Sequence, residues 1–301
     1  MRRSLRFSFL VAMLAAVILS LAPALAAEDW KSVVETAGRE APLSRILVLD
    51  TVTGQVLASR GLAAASRTLA SPGSTLKPLA LYSLVQSGQW EPSRRIACKR
   101  SLQVGNHNMA CTHPDGAPFD AREALAWSCN SYFAQLALAL RPGDLGRMLA
   151  KTNLLGSTGL ATAESTAAFR EPRDSTQKQL ALLGVEGIRV TPLELAAAYR
   201  WLAQQLAAHP DSKAASVVAA GLEDSASFGM AGQAGLGGVS VAGKTGTAPD
   251  PASGQTNGWF AGWAPAVDPK VIVVVFVPGG RGTDAAHIAG EVLRLSPLGK
   301  R

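Results

Sequence analysis

Apolar runs of β type stand near both ends of this 301-residue chain, and a long helical pattern separates them. Residues 45–50 (Arg-Ile-Leu-Val-Leu-Asp) read as a strand, Thr53-Gly54 as a turn, and residues 55–59 as the returning strand of a hairpin. Runs of that kind return only after Gly235, over 238–247, 258–263 and 271–277, and a last helix is expected between Thr283 and Leu295. A strand hides its apolar face only against a partner, so these distant segments are expected to share one sheet. From about residue 71 to 222 the pattern is helical, with alanine and leucine at helical spacing in 121–140 and in 191–208. The second of these has a defined start: Thr191 as N-cap, Pro192 at the first helical position, and Glu194 completing a capping box. The resulting fold class is α/β of the α+β kind. A sheet subdomain is expected from about 27–70 and 225–301, with an inserted all-helical subdomain of about 71–224. Residues 28–39 form a short amphipathic segment, and 207–215 is the expected exposed connection.

Residues 1–26 stand apart from this pattern. Arg2, Arg3 and Arg6 precede an apolar run from Phe7 to Ala22, followed by Pro23 and the small residues of Ala24-Leu25-Ala26. This reads as a secretory signal peptide cleaved before Ala27, and the run is short for a membrane span of about 20 residues. An uncleaved anchor is the alternative. No later stretch is long and apolar enough to cross a bilayer, so the mature protein is expected to be soluble and periplasmic, with peripheral or no membrane contact. The formal charge of +7 is partly in the leader, and no basic run interleaved with aromatics suggests nucleic acid.

The cysteines are Cys98, Cys111 and Cys129. In an oxidising compartment the favoured reading is a Cys98–Cys111 disulfide closing a short loop, worth about 3 kcal/mol. His107 and His113 lie beside them, so a zinc site stays open as a lesser alternative, as do free thiols.

Three short motifs carry chemistry. In Ser71-Pro72-Gly73-Ser74-Thr75-Leu76-Lys77 a Pro-Gly turn precedes an apolar helix. Ser74 and Lys77, three apart, share a helix face, where a neutral lysine can take the proton that makes a serine hydroxyl nucleophilic. Pro78 has no N–H, which leaves the Ser74 carbonyl without its usual helical partner. The same spacing recurs at Ser175 and Lys178, which read as solvated surface in a polar run. The second motif is Ser128-Cys129-Asn130, following an apolar helix, and the third is Lys244-Thr245-Gly246-Thr247, ending a strand.

In this order the three resemble the motifs of the serine penicillin-binding proteins and β-lactamases. The likeness extends to Pro78, to the helix pair around Ser128-Cys129-Asn130, to residues 190–199 and to Gly258-Trp259-Phe260-Ala261-Gly262-Trp263-Ala264-Pro265. It implies a β-lactamase/transpeptidase-like fold, an antiparallel sheet flanked by helices. It also implies roles: Ser74 as the acylated nucleophile, Lys77 as general base with its pKa lowered by Lys244, and Ser128 bridging the two lysines. Asn130 would hold the substrate amide, Lys244, Thr245, Gly246 and Thr247 would take its carboxylate, and the N–H groups of Ser74 and Thr247 would form an oxyanion hole. The implied partners are the D-alanyl-D-alanine end of a peptidoglycan stem peptide and β-lactam antibiotics. No cofactor and no metal are implied, and protein partners are unspecified.

The acyl acceptor is left open between an amine, which gives transpeptidation, and water, which gives D,D-carboxypeptidase or β-lactamase activity. None of Glu164, Glu171, Glu186 or Glu194 sits in the Glu-x-x-Leu-Asn pattern of class A β-lactamases, and Asn130 stands where class D enzymes usually carry an apolar residue. Transpeptidase or carboxypeptidase is therefore preferred over β-lactamase. A non-catalytic peptidoglycan- or β-lactam-binding scaffold is the alternative outside enzymology. The histidines build no rival site, since no Gly-x-Ser-x-Gly motif is present, and Cys129 reads as a small buried filler.

Overall fold

The computed structural model describes residues 29–114, 118–236 and 238–299. Helical backbone over 29–37 (α1) precedes β1 (Arg45–Asp50), β2 (Val56–Arg60) and the short α2 (Leu62–Ala65). A 3-10 turn, Gly73–Leu76, leads into α3 (Lys77–Gln86). A small hairpin follows, β3 (Ser101–Val104) and β4 (His107–Ala110), then α4 (Ala121–Ala126), α5 (Asn130–Ala137) and α6 (Asp144–Lys151). Next come β5 (Ala168–Phe169), α7 (Ser175–Leu182), β6 (Ile188–Arg189), α8 (Pro192–Ala208) and α9 (Lys213–Ser227). After α10 (Gly232–Gly235) the chain closes with β7 (Ala242–Pro249), β8 (Thr256–Ala264), β9 (Val271–Pro278) and α11 (Gly282–Leu295).

Five strands build one antiparallel sheet in the order β2-β1-β9-β8-β7. The N-terminal hairpin therefore lies against the last strand, with Arg45 opposite Phe276 and Asp50 opposite Val271. Side chains alternate between two cores, as strand geometry requires. Leu47, Leu49, Trp259, Trp263, Ile272, Val274 and Phe276 face the core of the helical middle. Ile46, Val48, Phe260, Val271, Val273 and Val275 face a second core with Trp30 and Val34 of α1 and Ile288, Ala289 and Val292 of α11. Burial on both faces is why 271–277 reads as a continuous apolar run rather than an alternating one.

Thr191 caps α8 as its sequence predicts: its Oγ1 accepts from Glu194 N (3.1 Å) and a Glu194 carboxylate oxygen accepts from Thr191 N (2.8 Å). The helical pattern of 121–140 is divided at Trp127–Cys129 into α4 and α5, the helix pair implied around Ser128-Cys129-Asn130. The β3–β4 hairpin stands where only helix was expected. Its signal was present, alternating residues around Gly105-Asn106, a two-residue turn with Gly105 at φ +55°. Among the described residues no helix is long and apolar enough to cross a membrane; the expected leader lies outside them.

Phe260 is fully buried and packs over Gly243 and Gly262, where added Cβ atoms would stand 2.5 and 2.9 Å from its ring. Phe260→Ala leaves a void that two glycines cannot fill. It is expected to cost about 3–5 kcal/mol, read as a lowered urea midpoint with an unchanged m-value.

Candidate active site

The turn that carries Ser74 is shaped by its neighbours. Gly73 has φ +55°, and its N–H bonds Gly184 O at 2.9 Å. Because Pro78 offers no N–H, the Ser74 carbonyl takes the N–H of Lys77, one residue earlier, and the segment closes as a 3-10 turn. Three side chains pin it: Tyr199 OH donates to Thr75 O (2.9 Å), Thr75 Oγ1 to Pro72 O (2.8 Å), and Trp259 Nε1 to Ser71 O (3.0 Å).

Opposite the turn runs β7, the edge strand of the sheet. The two backbones approach closely. A Cβ on Gly246 would stand 2.6 Å from Pro72 O, and one on Gly73 2.9 Å from Thr247 O. Thr247 Oγ1 accepts from Gly282 N (2.8 Å), which ties the strand to the start of α11.

Lys77 has no exposure to solvent. Its Nζ donates to Ser128 O (2.8 Å), Asn130 Oδ1 (2.8 Å) and Ser128 Oγ (3.2 Å), and lies 5.1 Å from the centre of the Phe133 ring. The spacing of Ser74 and Lys77 pointed the lysine at the serine, but its hydrogen bonds run to the second motif. Ser128 adopts φ +56°, a left-handed conformation uncommon outside glycine. That conformation, in the break between α4 and α5, turns both its carbonyl and its hydroxyl onto Lys77. Lys244 is equally buried, and its Nζ donates to Thr245 O at 3.2 Å. Of the two lysines, Ser128 hydrogen-bonds Lys77 alone. Burial pushes Lys77 down to about 8; burial, then the charge of Lys77, pushes Lys244 well below the ordinary lysine value. Desolvation, rather than Lys244, is the leading cause of the lowering at Lys77, and the repulsion between the two lysines adds to the lowering at Lys244.

Ser74, Ser128, Asn130, Thr245 and Thr247 line one cavity of about 450 Å³, with Lys77 and Lys244 buried beneath it. One wall is β4, including His107, whose Nε2 meets Glu186 Oε1 at 2.5 Å; another is Arg281–Thr283. Sequence reasoning passed over Arg281, which belongs to no motif, and considered His107 only beside the cysteines. It also read Ser175 and Lys178 as plain surface. They begin α7, with Asp174 as N-cap, and Lys178 Nζ donates to Leu140 O (2.7 Å), away from the cavity. Among the described residues no glutamate lines the cavity. Glu194 caps α8, Glu164 accepts from Thr158, Leu160 and Ala161 N–H, and Glu171 accepts from Gly143 and Gly146 N–H.

The Cys98–Cys111 disulfide is not formed: all three cysteines are free thiols. Cys98 Sγ faces His113 Nε2 at 3.1 Å, and Cys111 Sγ accepts from Asn130 N at 3.2 Å. These sulfurs, that of Cys129 and the His113 nitrogen all lie within 4.8 Å of one another. A hydrogen bond from Cys129 holds Cys111 down to about 4, and the same contact and burial hold Cys129 high. Of the two histidines named beside the cysteines, His113 is part of this cluster and His107 lines the cavity instead.

A model of the penicillin binding protein transpeptidase domain matches residues 45–295. The chain belongs to this family. Its transpeptidase domain is 28% identical over 267 residues to the peptidoglycan D,D-transpeptidase PbpA of Mycolicibacterium smegmatis, which covers 76% of this chain and 53% of that protein. The chain thus spans about half the length of this relative. In fold, the transpeptidase domain superposes on that of Burkholderia pseudomallei penicillin-binding protein 3 with TM-score 0.76, at 18% identity over 90% of this chain and 93% of that one. Pseudomonas aeruginosa penicillin-binding protein 2 matches with TM-score 0.75, at 20% identity over 88% of this chain and 74% of that one. The expected antiparallel sheet flanked by helices is the fold these neighbours share.

Gly246→Ala places a methyl group against the Pro72 carbonyl and forces the turn and the edge strand apart. The expected cost in stability is about 1–3 kcal/mol, as for other overpacked sites. The rate of covalent labelling by penicillin is expected to fall further than that cost explains, which thermal melting and labelling kinetics on the same sample resolve.

Proposed function

We propose that this chain is an exported serine acyltransferase acting on the D-alanyl-D-alanine end of peptidoglycan stem peptides. The observation that carries the reading is the convergence of Ser74, Ser128, Asn130, Thr245 and Thr247 on one cavity, over two buried lysines. In this reading Ser74 Oγ attacks the carbonyl carbon of the penultimate D-alanine and its proton passes to Lys77. With a pKa near 8, part of Lys77 is neutral at neutral pH and able to accept it. The carbonyl oxygen becomes an oxyanion facing the N–H groups of Ser74 and Thr247, each such donor being worth roughly 3 kcal/mol of barrier. As the C–N bond breaks, the departing amine of the terminal D-alanine takes a proton from Ser128, which recovers it from Lys77. An amine or a water molecule then attacks the ester and frees Ser74.

The substrate backbone fits beside β7, whose outer edge is not paired with another strand of the sheet. Lys244, Thr245 and Thr247 take the terminal carboxylate, and Asn130 the amide on the acyl side. A β-lactam presents the same carboxylate and strained amide, and acylates Ser74 by the same step. Among the described residues no glutamate lines the cavity, which supports a long-lived penicilloyl adduct over rapid β-lactam hydrolysis. Export rests on the leader expected over residues 1–26.

Fluorescent penicillin is expected to label the wild-type chain and Ser175→Ala, with the adduct persisting for hours, and to leave Ser74→Ala unlabelled. Rapid consumption of the drug without an adduct would reassign the chain as a β-lactamase. Binding that survives Ser74→Ala would make it a scaffold. Lys77→Ala, in a protein that still melts cooperatively, is expected to slow labelling by at least about 100-fold.

A further inference from the structure

The thiol cluster beside the cavity has the composition and geometry of a ligand set. Cys111, His113 and Cys129 are buried, and Cys98 is half-buried. The orientation of His113 separates a ligand set from a chance gathering of thiols. Its Nδ1 lies 2.8 Å from the Pro114 carbonyl, which only accepts, so Nδ1 carries the ring proton and donates it there. Nε2 is left with its lone pair directed at Cys98 Sγ. A backbone carbonyl fixing the far nitrogen is the arrangement by which proteins orient a metal-binding imidazole. A disulfide between two of the thiols would use neither this lone pair nor the third sulfur. The Asn130 N–H on Cys111 Sγ is the kind of hydrogen bond that steadies a ligating sulfur.

We propose that Cys98, Cys111, His113 and Cys129 form a closed, four-coordinate zinc site that clamps the β3–β4 hairpin to the Ser128–Asn130 turn. Tetrahedral coordination with bonds of about 2.0–2.3 Å places ligand atoms somewhat under 4 Å apart, a small contraction of the cluster described here. Three sulfurs and one imidazole suit zinc; hard cations such as calcium or magnesium require oxygen ligands. Binding displaces to solvent the protons that the cysteine thiols still hold and forms three Zn–S bonds and one Zn–N bond. With all four positions filled by the protein, no site is left for water or substrate, and the metal is structural.

The site bears on catalysis through Cys129, which stands between Ser128 and Asn130, the hydrogen-bonding partners of Lys77. Cys111 follows β4, whose Ala110 carbonyl accepts from Asn130 Nδ2 at 3.2 Å. The four ligands are thus positioning residues. They hold the second motif and the β4 wall in one register. This coupling rests on the acyltransferase reading; the metal site itself does not.

The test begins with the exported wild-type chain, purified without chelator and assayed for metal by mass spectrometry. One equivalent of zinc is expected, greatly reduced in Cys98→Ser and His113→Ala. Cobalt(II) exchanged for zinc is expected to give the intense absorption of a tetrahedral thiolate site, a signature that a merely structural role for the cysteines would not produce. Removing zinc by chelation is expected to slow penicillin labelling about 100-fold, the scale of a ~1 Å misplacement of catalytic groups, and adding zinc back is expected to restore it. The site is overturned if the reduced wild-type chain carries no zinc and takes up neither zinc nor cobalt, or if intact mass and peptide mapping find Cys98 and Cys111 disulfide-bonded. Metal-free protein that labels at the undiminished rate overturns the clamp while leaving Ser74 as the nucleophile. A full zinc complement in a chain that penicillin never labels counts against the acyltransferase reading and leaves the metal site standing.

Discussion

A cation sealed from solvent must find its partners inside the protein, and the arrangement around Lys77 follows from that requirement. Its ammonium has three N–H donors and meets three oxygens, two from Ser128 and one from Asn130, with the face of Phe133 alongside. To supply two of those oxygens Ser128 takes up a left-handed backbone, and to place Ser128 there the helix breaks between α4 and α5. The break in turn sets the start of α5, and with it Asn130. Strain at one residue, a helix interruption and a hydrogen-bond network are thus consequences of burying one charge.

The sheet performs the complementary task of bringing the third motif to the Ser74 turn. Its double burial leaves β7 as a free edge facing Pro72–Ser74, and the glycines at 73 and 246 allow backbone to approach backbone. Two rigid bodies therefore meet at the cavity: helices carrying Ser74, Lys77, Ser128 and Asn130, and the sheet edge carrying Lys244, Thr245 and Thr247.

Much of this was legible in the residues themselves. Strand runs at 45–50 and 271–277, the capping box at Thr191 and Glu194, and the three motifs all depend on local patterns of a few residues, and local patterns survive in a linear text. What was not legible depends on contacts between distant segments. The hydrogen bonds of Lys77 run to Ser128 and Asn130, fifty-one and fifty-three residues further along the chain. The pairing of Cys98 and Cys111 suggested by proximity in sequence gave way to a cluster that also needs Cys129 and His113, because the β3–β4 hairpin was read as helix. Tyr199 and Trp259 are buried in the core, and that their polar ends also hold the Ser74 turn follows only from the tertiary fold.

The position of β1 has a consequence in time. Its neighbours are β2, which follows within a few residues, and β9, which emerges from synthesis more than two hundred residues later. Until β9 arrives, one edge of β1 has no partner strand. Closing so long a loop is entropically slow, and an unpaired apolar edge is a template for misassociation. The sheet is completed only when the whole chain is present. Until then β1 keeps an edge open to pairing with the wrong strand.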